Sequence, residues 1–176
     1  TAGTEVWTYN FAEKLVELGH DVTLFANNQS EFSGKSVGVV NQEDILDDNG
    51  TNGLSRVKFS IYSVKEMVEV VKRQSDFDVI HISVYSFQYL LPLVELINKP
   101  VVLTIHGTAF SNNEIGQIFK EYPQIFYVFI SKQYENNWPH PKNYRVIYNG
   151  IEVECFKYQE NKSDRYFWMG RISQNK

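Results

Sequence analysis

From Thr4 to Leu18 the apolar residues Trp7, Phe11, Leu15 and Leu18 recur at i, i+4, i+8 and i+11. This is the repeat of one helical face, and Gly19 follows as a C-terminal stop. Asp21 to Ala26 then predicts a strand, and the polar stretch from Asn27 to Arg56 predicts a loop with a short strand near Val37 to Val40. Such a loop is long for a compact domain. Val57 to Ile61 alternates like a strand, Val64, Met67, Val68 and Val71 restore the helical period, and Phe77 to Ile82 returns to strand. Tyr85 to Ile97 is apolar enough for a buried helix in spite of Pro92, and Pro100 breaks it. Val101 to Ile105 is a nearly continuous β-branched run, which suits a strand covered on both faces. The series closes with a helix over Glu114 to Tyr122, a strand over Ile125 to Ile130, a short helix over Lys132 to Trp138 and a strand over Tyr144 to Tyr148.

Strands alternating with helices, several of them apolar throughout, predict an α/β domain with a doubly wound, Rossmann-like parallel sheet. Ligands of such sheets bind beyond the carboxyl ends of the strands. The residues at those places are His81 to Ser83, His106 to Thr108, Ser131, and Asn149 with Gly150. After Phe156 the polar segment 157–164 predicts a linker, and Arg165 to Met169 predicts a new strand running into a Gly170-Arg171 turn. Arg171 and Lys176 stand five positions apart at that end. A planar guanidinium and a compact ammonium suit adjacent oxygens of a diphosphate, although cations at a chain end are commonly just solvated. The expected organisation is one domain over 1–156, a linker over 157–164, and the first strand and turn of a second domain over 165–176, as in the front part of a longer protein.

Composition narrows the classes. A formal charge of -4 with no Lys/Arg run argues against nucleic acid as a partner. The single cysteine, Cys155, allows no internal disulfide and no Cys-based zinc cluster, which fits a reducing compartment. The 43% apolar content lies in short runs, none near the roughly 18 to 20 residues of a spanning helix.

Each candidate has a bland reading beside the functional one. Gly3 precedes a helix N-terminus, where free N–H groups and the dipole favour an anion such as phosphate; the alternative is a plain helix-entry turn. His106 ends an apolar strand and is followed by Gly107, so it can project into a cleft or be an imidazole satisfied by backbone. Ser131 and Asn149 can contact substrate, or cap a helix and form a turn. His81 has no acid or second His at metal-ligand spacing, so a structural hydrogen bond is favoured and no metal is expected. Cys155 has no activating base near it in sequence.

Ala2-Gly3-Thr4-Glu5, Leu18-Gly19-His20-Asp21-Val22, Asp78 to His81, Val101 to Gly107, Ile130-Ser131, Val146 to Ile151 with Phe156, and Met169 to Ser173 follow one another in a recognisable order. Together they resemble the N-terminal, acceptor-side domain of GT-B fold glycosyltransferases, in particular the retaining family 4, also called glycosyl transferases group 1. The resemblance runs nearly end to end. It implies two Rossmann-like domains facing a cleft, a nucleotide-sugar donor as co-substrate, a carbohydrate or lipid-linked acceptor, and no cofactor or metal. It implies that the counterpart of His106 sits by the reacting sugar, that Arg171 and Lys176 with the Gly3 loop hold the donor diphosphate, and that a C-terminal domain completes the site. Ala2 departs from the family's first loop glycine, and Glu152 replaces the Asp after Asn149-Gly150.

Under this resemblance the fragment by itself is expected to be inactive and the protein to be cytoplasmic, with peripheral association at the inner membrane surface left open. Two other readings stand: a non-catalytic α/β binding module, and a GT-B nucleotide-sugar epimerase, which needs no acceptor.

Overall fold

The computed structural model describes residues 3–41, 53–107 and 110–155, with isolated residues 157, 160, 164 and 166. The described chain is α/β, with parallel strands only, as a Rossmann-like domain requires. In chain order the elements are α1 (Gly3–Glu17), β1 (Thr23–Asn27), β2 (Lys35–Val40), α2 (Gly53–Arg73) and β3 (Ile80–Ile82). There follow α3 (Leu91–Val94), β4 (Val101–Ile105), α4 (Asn112–Glu121), β5 (Phe126–Phe129), α5 (Lys132–Asn137) and β6 (Tyr144–Val146).

Two hydrogen-bonded sets of strands form. β1 pairs with β2, and β3, β4, β5 and β6 pair in sequence order. In the second set Ile80 to Ile82 lie opposite Val101 to Leu103, and Val102 to Ile105 lie opposite Phe126 to Phe129. β4 is thus flanked on both edges, and its β-branched run is buried as the sequence pattern demands, with Leu103 and Ile105 wholly inaccessible. Phe87, Val94, Ile115, Ile125, Tyr127 and Phe129 are buried in the same core. Tyr127 donates its buried hydroxyl to Tyr122 O at 3.0 Å, so no polar group is stranded there. Between β1 and β3, under Met67 and Val70 of α2, lies a cavity of about 170 Å³.

α1 closes with a Schellman turn: His20 N donates to Leu15 O at 3.1 Å and Gly19 N to Val16 O at 2.9 Å. The turn places Gly19 at φ 88°, where a Cβ is disfavoured, so the stop is legible in the residue itself. Leu18, expected on the helix's apolar face, lies past the helix end and is exposed.

Two expectations fail. Val57 to Ile61 is not a strand but part of α2, a single helix of 21 residues. Among its described side chains Ser63 and Met67 are buried, while Val57, Phe59 and Ile61 are exposed. Five alternating residues carry too little periodicity to separate a strand from the opening turns of a helix. Tyr85 to Ile97 is not one helix either. It forms a 3-10 turn over Phe87–Tyr89 and the four-residue α3, which starts with Pro92 in its first turn. Pro lacks an N–H and its ring clashes with the carbonyl four residues back, so a helix can begin there but not pass through. Strands β3 and β6 are also shorter than expected, beginning at Ile80 and ending at Val146. The expected linker, the second-domain strand, and both Arg171 and Lys176 lie outside the described residues, apart from the isolated positions named above.

Candidate functional site

The site gathers at the carboxyl ends of β3 and β4, beneath the first two turns of α1. β3 delivers His81 and then Ser83; β4 delivers His106 and Gly107. Trp7 and Phe11 of α1 stack on each other, with ring centroids 4.9 Å apart, and both turn toward the histidines. Trp7 meets His106 edge to face at 4.6 Å, and Phe11 meets His81 in the same way at 5.0 Å. The helical spacing of Trp7 and Phe11, which marked α1 in the sequence, therefore builds an aromatic wall behind both imidazoles.

The two histidines differ. His81 Nε2 lies 2.8 Å from Oγ1 of Thr104, a buried residue of β4. Burial, and secondarily the charge His106 would carry, push its pKa down to about 4, so it is a neutral ring bonded within the core. This agrees with the structural role favoured for it. His106 is only half-buried. Its Nε2 lies 3.0 Å from Ser83 Oγ, which in turn lies 3.0 Å from Thr8 Oγ1, and Thr8 donates to Thr4 O at 2.9 Å. Burial also lowers the pKa of His106, which leaves it neutral around pH 7.

The remaining candidates are placed less centrally. Gly3 is the first residue of α1, exposed, with open space where a Cβ would stand. The hydroxyl chain ties its helical turn, through Thr4 and Thr8, to His106. Ser131 is the N-cap of α5 and accepts from Gln133 N at 3.0 Å, so the bland reading of its hydroxyl is realised whether or not substrate also reaches it. Tyr134 of that helix approaches Gly107, where an added Cβ would stand 3.7 Å from its hydroxyl. Asn149 is exposed beyond β6. Cys155 is exposed and hydrogen-bonded at 3.5 Å to the Glu152 carboxylate, which raises its pKa and keeps the unreactive thiol form.

Sequence reasoning did not single out Thr8, and it pointed to Ser83 only as a residue at a strand end. The signal for Thr8 was its place one helical turn after Thr4, on the flank of the Trp7 and Phe11 stripe. Glu66 was also missed. It lines the cavity between β1 and β3, and burial lifts its carboxyl to about 7.

Among the described residues no group of three or more His, Cys, Asp or Glu is placed to hold a metal ion, and no helix is long and apolar enough to cross a membrane. No curated protein matches the chain. The sequence model of Glycosyltransferase Family 4, in contrast, matches residues 1–154. With nearly the whole described fold inside that match, and the parallel α/β topology it calls for, the chain belongs to Glycosyltransferase Family 4 as a glycosyltransferase-type domain.

Proposed function

We propose that this domain serves a retaining glycosyltransferase that moves a sugar from a nucleotide-sugar to a carbohydrate or lipid-linked acceptor. The observation that carries the reading is the tie between His106 and the first turns of α1 through Ser83 and Thr8. An imidazole able to bond a sugar hydroxyl and a helix N-terminus able to bind phosphate are thereby held in one frame.

The chemistry follows from charge. Breaking the bond between the sugar and the diphosphate leaves negative charge on the leaving oxygens, and preorganised donors there lower the barrier. In this proposal the free N–H groups at Gly3 and the next residues of α1, with the helix dipole, supply one part. Arg171 and Lys176 supply the other from across the cleft. His106 bonds a hydroxyl of the donor sugar, and Ser131 and Asn149 border the substrate. No step needs a metal. A second domain holds most of the nucleotide, so the 176-residue chain alone is expected not to turn over. The protein is proposed to work in the cytoplasm, with a lipid-linked acceptor bringing it to the inner membrane surface.

The test is the full-length protein with Arg171→Ala. A raised donor KM or a lowered kcat supports the diphosphate role, and unchanged kinetics refute it. Product analysis also separates transfer from epimerisation, because only transfer consumes an acceptor.

A further inference from the structure

The hydrogen bonds around His106 leave one consistent direction for their protons. Thr8 Oγ1 lies 2.9 Å from Thr4 O, and a carbonyl has no proton to give, so Thr8 is the donor. A hydroxyl has one proton; the competing contact from Thr8 Oγ1 to Ser83 O is longer, at 3.5 Å. Thr8 Oγ1 can therefore only accept across its 3.0 Å contact with Ser83 Oγ, which makes Ser83 the donor there. With the Ser83 proton committed to Thr8, the 3.0 Å contact between Ser83 Oγ and His106 Nε2 requires the proton to sit on the ring nitrogen. The chain runs from His106 Nε2–H to Ser83, to Thr8, to the Thr4 carbonyl, with every proton used once.

We infer that the Ser83 and Thr8 hydroxyls fix His106 in the Nε2–H tautomer, leaving Nδ1 as the ring atom that accepts a hydrogen bond from a substrate hydroxyl. Ser83 and Thr8 are then positioning residues that act through His106. The tautomer stands on geometry alone; that the hydroxyl belongs to a donor sugar rests on the transferase reading above. A neutral acceptor at this place selects a ligand that presents an O–H, and disfavours one that presents only ether or carbonyl oxygens, since two acceptors face each other without a proton between them.

The test is a long-range proton–nitrogen NMR correlation on the chain labelled with nitrogen-15 histidine at pH 8, with His106 assigned by the signals lost in His106→Asn. The expected pattern is a pyrrole-type resonance at Nε2 and a pyridine-type resonance at Nδ1. The reverse pattern, or one averaged between the two tautomers, overturns the inference. Thr8→Val, which keeps the shape and removes the hydroxyl, should move His106 toward the averaged pattern, and Thr8→Ser should restore the fixed one; a pattern indifferent to both overturns the relay. Because the wild-type spectrum decides by itself, a Thr8→Val variant that fails to fold does not block the test. In the full-length enzyme Thr8→Val should lower kcat about tenfold with donor KM unchanged, and Thr8→Ser should recover it. A fixed tautomer in a protein without transferase activity refutes the transferase reading alone, whereas an averaged tautomer in an active transferase refutes this inference alone.

Discussion

Ser83 Oγ lies 3.0 Å from His106 Nε2, and this contact joins the carboxyl ends of two adjacent parallel strands. It keeps an imidazole at the sheet's ligand-binding edge in a fixed orientation. Half-burial lowers the pKa of His106 below the ordinary 6.5. An NMR titration should therefore show its protonation midpoint below 6.5, with the neutral ring dominant at pH 7. A midpoint at or above the ordinary value would contradict the burial described for it.

Glu66 and His81 line one cavity and titrate in opposite senses. The folded Glu66 carboxyl titrates at about 7 against an ordinary 4.5, so in that window the folded state holds a proton that the unfolded chain has released. Its contribution to stability falls as pH rises through the window. His81 titrates at about 4 against 6.5, so on acidification the unfolded chain binds the proton first and stability falls as pH drops. Over the shared range the two slopes offset each other. Glu66→Gln should remove the first, leaving stability that rises with pH, and should gain about 2 to 3 kcal/mol above pH 7. Urea unfolding at several pH values checks this; a mutant profile parallel to the wild type would refute it.

Gly116 of α4 is buried, and a Cβ added there would stand 2.9 Å from Pro139 Cγ. A proline ring cannot swing aside as a long side chain can. Gly116→Ala should therefore destabilise by about 1 to 3 kcal/mol, outweighing the roughly 1 kcal/mol that alanine gains as a helix former. Chemical unfolding should show the loss; a stabilised variant would mean that the segment after α5 moves freely.

Ser131→Ala removes the acceptor for Gln133 N and should cost about 1 kcal/mol, the usual value of an N-cap. Ser131→Asn should restore most of it, because Asn caps as well as Ser does. Failure of Asn to recover stability would show that the serine matters for something other than the cap.

Much of this architecture was legible in the sequence where local chemistry and tertiary demand coincide. Val101 to Ile105 is β-branched because it is the flanked, doubly covered strand β4, and Gly19 stops α1 because the turn needs a positive φ. Ser111 and Glu114 form a full capping box at the start of α4, close to the predicted boundary. The errors lie where a short pattern is ambiguous or a single residue overrides it. Val57, Phe59 and Ile61 alternate by accident in the opening turns of a helix, where all three are exposed, and Pro92 cuts an apolar run that composition alone would make one helix. For the site, strand-end logic found His106 and pointed to Ser83. Thr8 was invisible because its contact with Ser83 spans 75 positions of sequence, a distance no local pattern reports.

The central claim is tested most directly by nucleoside diphosphate release from a nucleotide-sugar by the full-length protein with and without acceptor, comparing wild type with His106→Ala. The account predicts acceptor-dependent release with the sugar's anomeric configuration retained in the product, reduced about 10² to 10³-fold in the variant while the fold persists. Equal rates in the two proteins, or release that never depends on an acceptor, would contradict it.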